Sequence, residues 1–181
     1  MIKYDDSDIK IAGDKPSESI ENSKSTDMIV RHEAQRDAGN IEKAAELGAL
    51  MASEVLSWTG SSIGQTFLTD EQMLFVFAST VGFDLYTSER VLAVTALTEF
   101  YKELEKQSPE FYQKVSGSPS FSFYYICMKD KENMLSCIGE TFAMLCGREN
   151  YPALIDKGCS LYERFLLVVK NHAESLEFVK I

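Results

Sequence analysis

The sequence predicts an all-α protein, a single-domain bundle of about six or seven helices with an N-terminal polar arm. Apolar residues recur at spacings of three and four from residue 40 onward, and Gly, Pro and Ser separate the periodic stretches. No stretch shows the β-branched, alternating pattern that is typical of a sheet. With 181 residues, 45% of them hydrophobic, the chain is long enough to bury a core, so we expect one domain.

We divide the chain into three parts. Residues 1–27 are polar and rich in Ser, Asp and Lys, which predicts an arm, residues 28–175 form the helical bundle domain, and residues 176–181 are a C-terminal tail. The composition of the arm allows two states. It is either flexible or docked on another surface, and the expected contact is the alternating stretch "DIKIA" at 8–12, through Ile9 and Ile11.

The first strong helical pattern continues to Gly60. Its apolar positions share one face and recur every three or four residues: Leu47, Leu50, Met51, Val55 and Trp58. Ala44, Gly48 and Ala52 form a second stripe, of small residues, on the same stretch. Small side chains let two helix backbones approach closely, so we expect another helix to pack on this stripe.

The second and third helices are predicted from their starts. Thr69 with Gln72 has the pattern of a capping box, and the stretch that follows, "MLFVFASTV", is apolar on nearly every side, which predicts a central helix. The next helix is expected to begin at Thr87 or Ser88. Its predicted apolar face consists of Val94, Leu97, Tyr101 and Leu104.

The remaining helices follow from breaks in the chain. Pro109 starts a short helix, the stretch "SGSP" at 116–119 ends it, and the apolar run "SFSFYYICMK" comes next. Two longer patterns complete the set: "KENMLSCIGETFAMLCG", which Gly147 ends, and "NYPALIDKGCSLYERFLLVVKNHAESL".

The net charge of −10 makes nucleic acid and anionic membranes improbable partners, because binding to phosphate groups depends on Lys and Arg. The first ten residues lack the features of a secretory signal. The apolar stretch at 72–83 is far shorter than the roughly 18 residues of a membrane-spanning helix. We therefore expect a soluble, cytoplasmic protein.

Catalytic and metal-binding patterns are missing from the sequence. The four cysteines, Cys127, Cys137, Cys146 and Cys159, form no CxxC pair, and we expect them to be free and buried. His32 and His172 lie among charged residues without metal-ligand spacing, so we expect no metal and no cofactor. Glu140 fits an exposed polar stripe better than a buried catalytic acid. An active site assembled from scattered residues stays open, although a protein without catalysis is favoured.

The aromatic run at 121–125 is the feature that most suggests a site. Phe121, Tyr124, Tyr125 and Met128 fall on one face of a helix, which allows a filled core, an apolar pocket or a protein interface. The candidate residues for binding a ligand or a partner are Phe121, Tyr124, Tyr125, Trp58 and Phe142.

The sequence therefore favours a non-catalytic helical protein that acts by protein–protein interaction, including self-association as a homodimer. The alternative is a binder of a small apolar ligand, in a closed cavity of the bundle bounded by Tyr124, Tyr125, Trp58 and Phe142.

Overall fold

The computed structural model of the chain describes residues 29–61 and 65–181, and the predicted arm at 1–27 lies outside them. The described residues form eight α-helices and a 3-10 turn, Gln65–Phe67, with no strand among them. The helices are α1 (29–37), α2 (Asn40–Ser57), α3 (Leu68–Tyr86), α4 (Arg90–Gln107), α5 (Pro109–Gly117), α6 (Ser120–Cys127), α7 (Met134–Leu145) and α8 (Pro152–Ser175). The predicted all-α, single-domain bundle is confirmed. None of these helices is both long and apolar enough to cross a membrane.

The first helical stretch is divided in two at Gly39. Gly39 has a φ of 72°, a left-handed conformation that ends α1 and that glycine adopts without steric cost. This break accounts for one helix more than the periodicity of the sequence indicates.

Helix α3 lies at the centre of the bundle, as its apolar sequence predicts. Every side chain from Met73 to Phe83 is buried, and α2, α4, α6, α7 and α8 all pack against it. A helix covered on all sides needs no polar face, and this explains why α3 is hydrophobic around its whole circumference.

The predicted close contact of the small-residue stripe is confirmed. Ala44, Gly48 and Ala52 are buried, and α4 packs on this side of α2. A Cβ atom added to Gly48 would overlap the carbonyl oxygen of Ala96. The same device recurs between α7 and α8, where a Cβ on Gly158 would lie 2.7 Å from the Cβ of Phe142.

Two predicted helix starts are wrong in detail. Helix α3 begins at Leu68 with no side-chain cap, and Gln72 donates instead to the carbonyl oxygen of Val55 at 3.2 Å, so the predicted capping box does not form. Helix α4 begins at Arg90 rather than at Thr87. The hydroxyl of Thr87 donates to the carbonyl oxygen of Phe83 at 2.7 Å and thus belongs to the end of α3.

The buried face of α4 is also rotated relative to the prediction. Leu104 is buried as expected, but Val94 is 51% exposed and Tyr101 is half-buried. The buried positions are Leu92, Ala93, Ala96, Phe100 and Leu104. The close approach of α2 selects the alanines of α4 for the interface, because larger side chains would hold the two backbones apart.

Residues of the predicted C-terminal tail lie against the start of α2. The buried side chain of Asn40 donates to the carbonyl oxygen of Val179 at 2.8 Å and accepts from its backbone N–H at 2.9 Å. Lys43 donates to the carbonyl oxygen of Glu177 at 2.8 Å. The tail is thus fixed by polar contacts to α2. Asn40 and Val179, which make two of these contacts, are 139 residues apart in the sequence.

Candidate functional site

Two aromatic clusters meet the central helix at Phe75 and Phe77. We call the first the closed cluster, which consists of Trp58, Phe75 and Phe165. The second is the open cluster, which consists of Phe77, Tyr124, Tyr125 and Tyr162. Residues two apart on a helix point to nearly opposite sides, so the two clusters lie on different sides of α3.

In the closed cluster, two stacked rings meet a third ring edge-on. The rings of Phe75 and Phe165 stack with centroids 4.0 Å apart, and the indole ring of Trp58 meets Phe165 edge-on at 5.0 Å. The guanidinium carbon of Arg164 lies 4.9 Å from the centre of the Trp58 ring, close enough for a cation–π contact. Both phenylalanines are fully covered.

Glu71 is a buried carboxylate that holds the α2–α3 connection to this cluster. Its Oε2 accepts from the indole N–H of Trp58 and from the backbone N–H of Ser61, each at 2.8 Å. Its Oε1 accepts from the Ser61 hydroxyl. This role of Glu71 was not predicted from the sequence. A sign of it was present, because a tryptophan on an apolar face needs an acceptor for its N–H.

The open cluster reaches from the core to the surface. Tyr124 stacks on Phe77 with centroids 5.0 Å apart and is buried, whereas Tyr125 meets the same ring edge-on at 5.3 Å and is 51% exposed. Tyr162 completes the cluster, and its hydroxyl lies 3.9 Å from the sulfur of Met128. Burial raises the pKa of the Tyr124 hydroxyl far above its usual range, so this tyrosine stays neutral and acts as a core residue.

The outer face of α6 exposes three large apolar side chains, which we call the α6 patch: Phe123 at 41%, Tyr125 at 51% and Ile126 at 58%. The inner face buries Tyr124 and Cys127. At 100° per residue the α6 patch covers the side of the helix directed away from the core. Three large apolar residues exposed within four positions exceed the scattered exposure of an ordinary surface.

The structure brings together only some of the residues predicted to form a site. Tyr124 and Tyr125 share the open cluster, Trp58 belongs to the closed cluster on the other side of α3, and Phe142 is buried at the α7–α8 contact. Phe121 is half-buried against the core. The surface cavities of about 650, 390, 350 and 210 Å³ are lined by other residues. The ligand cavity bounded by Trp58, Tyr124, Tyr125 and Phe142 stays a prediction.

Two further tyrosines form an aromatic pair on α4 and α5. Tyr101 on α4 and Tyr112 on α5 meet edge-on with centroids 6.4 Å apart, and both are half-buried. Burial, with smaller contributions from Tyr125 and Tyr112, raises the pKa of Tyr101 to about 12. The raised pKa keeps the Tyr101 hydroxyl protonated at neutral pH.

The expectation of four free cysteines is wrong for two of them. Cys127 and Cys137 form a disulfide between α6 and α7, with their Cα atoms 5.4 Å apart. A spacing of ten residues gave no sign of this pair, because only the turn between the two helices brings them together. Cys146 and Cys159 are free. Burial, followed by the nearby charges of Asp70 and Glu71, raises the pKa of Cys146 to about 12, so it remains a thiol and a poor nucleophile.

The described residues contain no group of three or more His, Cys, Asp or Glu that could hold a metal ion. Glu140 is exposed and accepts from the Ser136 hydroxyl at 3.2 Å, which confirms the predicted polar stripe on α7.

No protein-family model matches the chain, and neither the curated proteins nor the solved structures contain a match to it.

Proposed function

We propose that this chain is a non-catalytic interaction protein that associates with a second copy of itself through the α6 patch. The observation that carries the proposal is the exposure of Phe123, Tyr125 and Ile126 on one short helix. Burial of such side chains against a partner removes apolar surface from water, at about 25 cal/mol per Å².

The charge distribution favours a second copy as the partner. The chain carries a net charge of −10, so most approaches of two copies bring like charges together. Residues 118–128 contain no charged side chain. The α6 patch is therefore a surface on which two copies can meet without opposed carboxylates, and a two-fold axis would place the same patch on both sides.

A stable dimer needs a larger interface than α6 alone can provide. A standard interface buries about 800 Å² on each partner, and its centre is enriched in Tyr and Phe. The proposed interface therefore extends from the α6 patch over neighbouring residues of each copy. It has Tyr125 at its centre, because this side chain is 51% exposed and its ring rests edge-on against the buried ring of Phe77.

The proposal includes a cytoplasmic location and the absence of nucleic-acid and membrane partners. The acidic charge supports the latter two points, because phosphate-rich surfaces would repel the chain. The cytoplasm is a reducing compartment in which disulfides are rare. In that compartment we therefore expect Cys127 and Cys137 to be two thiols, and the disulfide of the structure to form under oxidising conditions.

Sedimentation equilibrium of the full chain over a range of concentrations tests the proposed function. We expect the mass to rise toward that of two chains, and the double variant Tyr125→Asp, Ile126→Asp to keep the mass of one chain at every concentration. Leu167→Asp is the matched control, because Leu167 on α8 is 54% exposed and lies outside the patch. A wild-type chain that stays monomeric, or a control that dissociates equally, contradicts the proposal.

A further inference from the structure

A groove lies between α1 and the start of α4. Its volume is about 650 Å³. Val91 and Val94 supply its apolar part, and Val94 is the residue that the sequence places in the core and the structure exposes at 51%. The polar part consists of Arg31, His32, Ser88, Glu89 and Arg90. The groove thus combines an apolar surface with two guanidinium groups.

The charge of this groove differs from that of the chain as a whole. Arg31 and Arg90 contribute two positive charges against the single carboxylate of Glu89. Neither guanidinium is ion-paired with another described residue. In a chain of net charge −10, a positively charged apolar groove is suited to an acidic segment with an apolar side chain at its centre.

The sequence contains such a segment before α1. Residues 17–22 read "SESIEN", in which Glu18 and Glu21 flank Ile20. The stretch 1–28 joins the structure at residue 29, two residues before Arg31, so it leaves the bundle at the edge of the groove. Ile20 precedes Arg31 by eleven residues. Eleven residues reach at most about 36–40 Å, ample to return to the groove.

We propose that residues 17–22 bind in this groove of the same chain, with Ile20 against Val91 and Val94 and the carboxylates of Glu18 and Glu21 near Arg90 and Arg31. The groove is then an intramolecular docking site. Because an acidic peptide from elsewhere would have to displace this segment, the segment acts as a built-in competitor.

Photo-crosslinking in the full chain tests the proposal. Val94 is replaced by benzoylphenylalanine, the chain is irradiated at low concentration, and the cross-linked peptides are identified by mass spectrometry. We expect cross-links to residues 17–22 in material with the mass of one chain. The same photo-reactive residue at position 167 is the control, because Leu167 is exposed to a similar extent, 54%, and should give no such product.

Charge exchange sharpens the test. Arg90→Glu should lower the cross-link yield about two- to fivefold, the range expected for an exposed ion pair. Combining it with Glu18→Lys should restore the yield, whereas Lys129→Glu, on an exposed residue after α6, should leave it unchanged. Cross-links only between different chains, none to residues 17–22, or equal effects of Arg90→Glu and Lys129→Glu would overturn the proposal. Circular dichroism of each variant verifies that the helices are intact.

Discussion

Phe75 and Phe77 lie two residues apart on the same buried helix, and each forms the centre of an aromatic cluster with a different outcome. Around Phe75 the closed cluster is covered by Trp58, whose polar N–H is satisfied by Glu71. Around Phe77 the open cluster ends in Tyr125, half of which faces solvent. Both central residues are buried phenylalanines. The two clusters differ in the aromatic side chain at the outer end, which is Trp58 beside Phe75 and Tyr125 beside Phe77.

This comparison separates stability from availability for binding. A ring covered on all sides contributes its full apolar area to folding, whereas an exposed ring keeps part of that area for a partner. We therefore expect changes in the closed cluster to affect the free energy of unfolding most. Changes at the surface of the open cluster should affect association instead.

Phe165→Ala should show the largest effect. It removes a fully buried ring stacked on Phe75, so we expect a loss of about 3–5 kcal/mol in the free energy of unfolding. Tyr125→Ala should lose under about 1.5 kcal/mol, because half of its surface is already exposed. Urea denaturation followed by circular dichroism measures both values. Equal losses would remove the distinction between the two clusters.

Replacing Glu71 by Leu should cost about 3 kcal/mol. The change leaves the N–H groups of Trp58 and Ser61 without their acceptor in a partly buried site. Glu71→Gln is the matched control, since its amide oxygen can still accept from both groups, and about 1 kcal/mol is expected. Trp58 is the single tryptophan, so its fluorescence should shift to longer wavelength in the Leu variant alone. Identical spectra for the two variants would show that Glu71 does not position the indole.

Reducing the Cys127–Cys137 bond should cost about 2–3 kcal/mol, the chain-entropy value for a closed loop of this size. Because the bond connects α6 to α7, we expect the loss of stability to be greatest in these two helices. A reductant should lower the urea midpoint of the wild-type chain and leave the already lower midpoint of Cys137→Ser unchanged. A reductant that acts equally on both proteins would locate its effect elsewhere.

The smallest predicted effect is an alkaline loss of stability through Tyr101. Its folded pKa of about 12 exceeds the ordinary value of 10, so the folded state holds its proton more tightly than the unfolded state does. The resulting stability is complete below pH 10 and is lost as the pH rises toward 12. Tyr101→Phe should make the free energy of unfolding less dependent on pH in this range. An unchanged pH dependence in denaturant titrations of this variant would contradict the prediction.

The sequence predicted those parts of the fold that depend on composition along one helix. The apolar circumference of α3 and the small-residue stripe at Gly48 can each be recognised from the residues of a single helix. Both predictions are confirmed. The buried face of α4 was assigned wrongly, since the periodic rule favoured Val94 over Ala93 and Ala96. Only the approach of α2 explains why the alanines face inward.

The sequence indicates where the aromatic residues of the candidate site lie, but not which way they point. Neighbouring residues of a helix point about 100° apart, and nothing in the run at 121–125 indicates that Tyr124 faces inward and Tyr125 outward. The role of Glu71 was obscured for a related reason. Glu71 lies in the first turn of α3, whereas its partners come from the preceding connection, which the helical pattern of α3 does not include.

The contact between Asn40 and Val179 sets an order of events during synthesis. Asn40 emerges from the ribosome early, but the backbone groups that satisfy its side chain belong to a residue made 139 positions later. Until then the side-chain amide of Asn40 lacks two of its hydrogen bonds, so we expect α2 to pack less firmly in the incomplete bundle. Completion of the bundle is thus coupled to the emergence of residue 179 from the ribosome, and nascent chains in which it has not emerged should remain sensitive to proteases at the start of α2.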